Sequence, residues 1–216
     1  MNVLRSMDAL LKKPDSALAA HPFVLLAGAT ACYVLYGAAT GFFQGGWSVG
    51  LAVMKVPLII LASLMICLPS LYVFTGLAGA DLNPRAFSAV VAGFCGITGL
   101  ILVALMPVIW LFSVSTISLG FVVWLHILVW LVALVFGRQF LVRAASAARA
   151  VIGLWLVLLF IVSLQMTTYV RPVLWQVDGA PLFETEKKSF FGHIEDVARW
   201  KPPAKAGAPP AAKPQS

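Results

Sequence analysis

His126 is the residue in this chain whose type and setting come nearest to specifying chemistry. It stands inside a long apolar run, with Trp124 and Trp130 close by in sequence. An imidazole there must find a hydrogen-bond partner or bear a cost of roughly 2–7 kcal/mol. Three roles suit it: a proton relay, a haem ligand, or part of a substrate path. The plainer reading is a neutral histidine bonded to a hydroxyl or carbonyl on a neighbouring helix. That reading is preferred, because His21 and His193 flank the apolar region and leave no second histidine at ligand spacing. A haem site among helices commonly needs a pair, so no cofactor is expected.

Lys55 stands at the edge of an apolar stretch, where it can meet an anion or a lipid phosphate. A lysine that lays its stem on apolar surface and sends its ammonium to the interface accounts for the same position. Gln165, Thr167, Thr168 and Arg171 form a polar strip near the end of the last apolar stretch. Such a strip joins helices or lines a cavity, the first being the commoner use. Small residues recur in two places: Gly28, Ala29, Ala31, Gly37, Ala38 and Gly41, and then Gly93, Gly96 and Gly99. Gly37 and Gly41 make a GxxxG pair, and with Gly93 and Gly96 they are the expected points of close helix packing. Packing within one chain and dimerisation explain them equally well.

The three cysteines, Cys32, Cys67 and Cys95, all fall in apolar runs and lack the spacing of a metal site. They read as buried apolar side chains. The chain has no phosphate-cradling loop of the Walker type, no HExxH, no GxSxG and no intramembrane pair of aspartates. An ATPase or a zinc protease is therefore disfavoured, and no catalytic or metal-ligating residue is assigned. Two halves with matching broken helices are also missing, which disfavours a self-contained secondary transporter.

The elements that carry these residues follow from composition. Hydrophobic residues make up 61% of the chain and charged residues 11%. Between Pro22 and Arg171, 150 residues hold six lysines and arginines and one carboxylate, Asp81. Lipid is the solvent that fits, since a charge at mid-bilayer costs about 2.5–3.5 kcal/mol even on the lenient scale. The net charge of +7 does not point to nucleic acid, because no basic cluster alternates with aromatics.

A span needs roughly 20 apolar residues to cross about 30 Å of hydrocarbon. The first is expected at Phe23–Phe43, read as a retained anchor that continues past the length of a signal core. The second is expected at Val56–Ala78, with Pro57 in its first turn and Pro69 kinking it deeper in. Gly79 to Arg85 supplies turn chemistry in Gly79, Asp81, Asn83 and Pro84. From Phe87 to Gly137 there follow 51 residues without lysine, arginine or carboxylate. A single helix of that length would reach about 75 Å. A division at the Ser/Thr patch Ser113–Ser118 gives a third span at Phe87–Phe112, kinked at Pro107, and a fourth at Leu119–Gly137. Arg138–Arg149 reads as a helical connector and Ala150–Val170 as the fifth span.

The fold class is thus all-α: a polytopic transmembrane bundle of about five spans with an N-terminal interfacial helix. Residues 1–21 make an amphipathic interfacial segment, 22–171 the transmembrane domain, 172–200 a soluble tail with a short helix, and 201–216 a disordered Pro/Ala/Lys-rich end. Five spans put seven lysines and arginines on the side of the N-terminus and four on the other. By the positive-inside rule the N-terminus is cytoplasmic.

Three stretches carry a resemblance: KVPLIILASLMICLPSLYVFTGLAG from Lys55 to Gly79, MTTYVRPVLW from Met166 to Trp175, and ETEKKSFF from Glu184 to Phe191. They resemble a group of bacterial multi-span inner-membrane proteins, loosely similar to the five-span architecture of the Yip family. That resemblance implies membrane organisation through partners and transfers no catalytic residue. The expected function is a non-enzymatic scaffold or accessory subunit of an inner-membrane complex, bound to the lipid bilayer and to a protein partner or a second copy of itself. The alternative is an oligomeric transporter or channel with His126, Gln165 and Arg171 along its path.

Overall fold

The computed structural model describes residues 22–41, 47–80, 83–116 and 119–169. Among them are six α-helices, α1 (Pro22–Gly41), α2 (Trp47–Leu77), α3 (Pro84–Ala104), α4 (Met106–Ser115), α5 (Leu119–Ala144) and α6 (Arg149–Tyr169), with a 3-10 turn at Ser146–Ala148. Five of these stretches are long and apolar enough to cross a membrane, and the chain is an all-α bundle of a multi-pass membrane protein. The expected interfacial segment 1–21 and the tail segments 172–200 and 201–216 lie outside the described residues.

The helices begin and end where backbone chemistry requires. α2 closes in a Schellman motif: Gly79 has φ +79°, its N–H bonds Gly76 O at 3.0 Å, and the Ala80 N–H bonds Thr75 O at 3.0 Å. α3 then opens with Asn83 as N-cap, its side chain accepting from the Ala86 N–H at 2.7 Å, and with Pro84 in the first turn. The turn expected at Gly79–Arg85 therefore holds.

Four boundaries differ from expectation. α2 starts at Trp47 and runs to Leu77, so Pro57 lies inside the helix with Pro69 rather than in its first turn. The expected third span is two helices: α3 ends at Ala104 and α4 begins at Met106. Pro107 is the cause, since it lacks an N–H and its ring clashes with the carbonyl four residues back. Leu105 takes φ −89° and ψ −4°, ends α3 and starts α4. α5 does not stop at Gly137 but continues through Arg138 and Arg143 to Ala144. The expected connector is accordingly the last turns of α5 followed by the 3-10 turn.

α1 packs on α2 and α3, α3 on α5, and α2 on α6, with α4 lying against α1, α3 and α5. α3 has the largest share of its length covered, through a run of small and apolar residues from Ala89 to Gly99. Large apolar side chains such as Met65, Ile66, Leu128 and Leu154 face outward, as lipid-facing residues do. Without a hydrophobic drive between helices in lipid, contact must come from close packing and interhelical hydrogen bonds. Both are present. A Cβ at Gly37 would sit 2.7 Å from Ala52 O, one at Gly99 would sit 3.0 Å from Cys32 Cβ, and one at Gly137 would sit 2.5 Å from Phe94 Cε2. These are the places where α1 meets α2, α1 meets α3, and α3 meets α5.

Candidate functional site

Two sets of polar groups lie inside the bundle, and they differ in whether their bonds are made. The first set is complete. Tyr33 on α1 donates to Cys95 O on α3 at 3.0 Å and lies 2.9 Å from Thr98 Oγ1. Thr98 in turn reaches Phe94 O at 2.9 Å on its own helix. Trp155 on α6 is fully buried, donates from Nε1 to Cys67 O on α2 at 2.8 Å, and meets Phe94 edge-on with centroids 5.9 Å apart. These bonds tie α1 to α3 and α2 to α6 at the centre. A cavity of about 20 Å³ lies beside them, lined by Tyr33, Thr98, Trp130 and Ser163 among others. That is room for one water molecule.

The second set is incomplete, and it contains His126. Nδ1 of His126 lies 2.8 Å from Val122 O, one turn back on the same helix. A carbonyl oxygen only accepts, so Nδ1 carries the proton and Nε2 of the neutral ring is an acceptor. Nε2 is buried and has no partner. The bond expected to a neighbouring helix is thus a bond to α5 itself, and it leaves the interhelical nitrogen open. Tyr36 on α1 faces the imidazole with ring centroids 6.0 Å apart and planes tilted by 58°. Tyr36 is 2% exposed, and its hydroxyl is also buried without a partner. Ser113, one of the two buried residues of α4 with Ile109, carries another unpartnered oxygen, on a helix that lies against both α1 and α5.

Position along the helices matters as well. Because α5 extends to Ala144, His126 lies not at the middle of its span but six residues from Gly120, about 9 Å along the axis. Tyr36 is five residues from the end of α1 at Gly41. The pair sits in the outer third of both helices.

The other expected residues are not gathered here. Lys55 stands in the first turn of the candidate span Ala52–Leu77, the entrance expected for it, but its side chain is buried at 6% exposure rather than open to the interface. Gln165 is exposed on α6, and Thr167 turns back to Leu164 O at 2.6 Å instead of joining helices. The Thr168 side chain and Arg171 lie outside the described residues. Gly37, Gly41, Gly93 and Gly96 are all buried, and Gly37 makes a tight contact. Cys67 and Cys95 are buried as expected, whereas Cys32 is only half-buried, and all three are free. Among the described residues no group of three His, Cys, Asp or Glu side chains could hold a metal ion.

Sequence reading missed Tyr36, Tyr33, Thr98 and Trp155. The signal for the tyrosines and the tryptophan was available, since a polar atom on an aromatic ring inside an apolar span calls for a partner. No family model, curated protein or solved structure matches the chain.

Proposed function

We propose that the protein is a non-enzymatic scaffold or accessory subunit of a complex in the bacterial inner membrane, working through a protein partner or a second copy of itself. The observation that carries this reading is the pinned centre. Tyr33 and Trp155 spend their polar atoms on the backbones of neighbouring helices, and Gly37, Gly99 and Gly137 bring helices to contact distance. A bundle fastened in this way serves as a fixed body on which other chains assemble, whereas alternating access needs two packings of near-equal energy. The flank formed by α4 and α5, with Trp110, Phe121 and Trp124 exposed, is where a partner's helices would lie. The resemblance of three sequence stretches to multi-span proteins of Yip-like architecture points the same way.

Orientation follows from charge. Arg85 at the start of α3, Arg138 and Arg143 near the end of α5, and Arg149 at the start of α6 are all exposed. Together with Arg5, Lys12 and Lys13 they favour a cytoplasmic N-terminus by the positive-inside rule. Labelling of cysteines introduced between Glu184 and Ser216 in intact cells checks it. With five spans that tail is accessible from outside, and protection would reverse the assignment.

The function itself is tested by purification in mild detergent at native expression, followed by mass spectrometry. A stoichiometric partner or a self-assembly is expected, and a lone monomer would overturn the proposal. The open nitrogen of His126 favours a second reading, an oligomeric transporter or channel. Flux in liposomes that falls in His126→Ala would establish that role in place of the first.

A further inference from the structure

Among the described residues, five buried side-chain atoms lack a hydrogen-bond partner: Tyr36 Oη, Ser63 Oγ, Ser113 Oγ, Ser163 Oγ and His126 Nε2. They are not equivalent. A serine in a helix can rotate about χ1 and bond a carbonyl three or four residues back. Ser70 does so to Cys67 O at 2.7 Å and Ser115 to Leu111 O at 2.7 Å. The three serines can therefore satisfy themselves by turning. Tyr36 and His126 cannot. The tyrosine hydroxyl stands at the far end of a rigid ring, out of reach of its own backbone. His126 has already used Nδ1 on Val122 O, and that bond fixes the ring so that Nε2 points away from α5's backbone.

The two atoms are also complementary. Tyr36 offers an O–H to donate, and His126 offers a bare nitrogen to accept. Each is buried, and each left unsatisfied bears the cost of its lost hydration. Their rings face each other across 6.0 Å, yet no hydrogen bond joins them. The group that satisfies both must accept from Tyr36 and donate to His126. A halide has no proton to give, and an ammonium has no lone pair to offer. A hydroxyl has both. We propose that Tyr36 and His126 together bind one uncharged hydroxyl group, which accepts a hydrogen bond from Tyr36 and donates its own to Nε2 of His126.

That hydroxyl belongs to a water molecule or to the head of a lipid-soluble alcohol. Both sources can enter from the near end of the span, since the pair lies about 9 Å inside the α5 end.

The test uses the full chain labelled with ¹⁵N-histidine and reconstituted in phosphatidylcholine nanodiscs, with His126 assigned by loss of its signals in His126→Gln. The expected result is an Nδ1-protonated ring whose Nε2 resonance is displaced from that of a bare imidazole nitrogen. The displacement is expected to diminish in Tyr36→Phe, which keeps the ring and hence the packing. Water as the source gives the displacement without additive, and it changes when D₂O replaces H₂O. An alcohol as the source gives it only when 1-decanol is added. A bare Nε2 under both conditions, or a correlation directly to the Tyr36 hydroxyl with no third group, overturns the proposal.

Discussion

Replacing Gly37 by alanine tests the helix packing at its tightest described backbone contact. The new Cβ would lie 2.7 Å from Ala52 O and 3.2 Å from both Ala52 C and Val53 Cα. Ordinary contact begins near 3.4 Å, so α1 and α2 must part by about 0.7 Å, the difference between those two distances. The atoms in the way are backbone, and no rotamer change relieves them. Overpacking of this kind costs about 1–3 kcal/mol. Alanine also gains about 0.8–1.0 kcal/mol over glycine in helix propensity, which offsets part of the cost. Gly76→Ala and Gly120→Ala isolate that gain, since nothing lies within 4 Å of a Cβ at either position. Unfolding by SDS in mixed micelles, followed by tryptophan fluorescence, should place Gly37→Ala about 1–3 kcal/mol below the two controls. If all three variants agree to within about 0.5 kcal/mol, the α1–α2 contact is not as close as described and the reasoning fails.

Gly137→Ala should destabilise by about 1–3 kcal/mol in the same assay, and Phe94→Leu in the same chain should recover part of the loss, because the clash is with the Phe94 ring. Trp155→Phe should cost about 2 kcal/mol or more, losing both the bond to Cys67 O and ring volume at a fully buried site. Tyr33→Phe should cost less, about 0.6 kcal/mol, since Thr98 keeps its own backbone bonds and membrane hydrogen bonds average near that figure. A larger loss in Tyr33→Phe than in Trp155→Phe would reverse the assigned importance of the two ties. Asn83→Ala should lower stability by about 0.5–2 kcal/mol through loss of the α3 cap, and hydrogen exchange of the Ala86 amide should rise with it.

Local backbone chemistry was the most legible part of the sequence. Gly79, Asn83 and Pro84 are residues whose conformational preferences act within one turn, and they made the cap and the start that their types require. The existence of five spans was legible too, because length and apolarity are summed over many residues. The ends of the spans were harder. The start of α2 was hidden by Ser48, Gly50 and Lys55, polar or flexible residues that interrupt an otherwise apolar stretch beginning at Trp47. Gly137 and Arg138 look like a stop, yet the helix continues past them. Phe94 and Thr98 close on Gly137, while Arg138 lies along α6 with Nε 3.9 Å from the Cβ position of Gly153. Tertiary contact overrode a local signal. At Pro107 the cause was visible but its consequence was set too low, as a kink where the structure has a break.

The candidate site was half legible, for a reason that extends to the glycines. A polar residue in an apolar span announces itself, so His126 was found; its counterpart Tyr36 lies 90 residues away in sequence, and only the order of helices in the bundle brings them together. In the same way a GxxxG spacing reports that one helix has a smooth stripe, but which glycine meets a backbone depends on how the partner is rotated about its own axis. Gly37 of the Gly37–Gly41 pair meets Ala52, and on α3 the tight contact with α1 falls at Gly99, where Cys32 and Ala29 cross it. Parallel packing of α1 and α3 accounts for the step: Leu25 clusters with Ala92, and Tyr33 bonds Cys95 and Thr98, so the two helices stay in contact as both advance. A seam between helices is therefore a property of two sequences in register, and the spacing within either one marks only where such a seam can form.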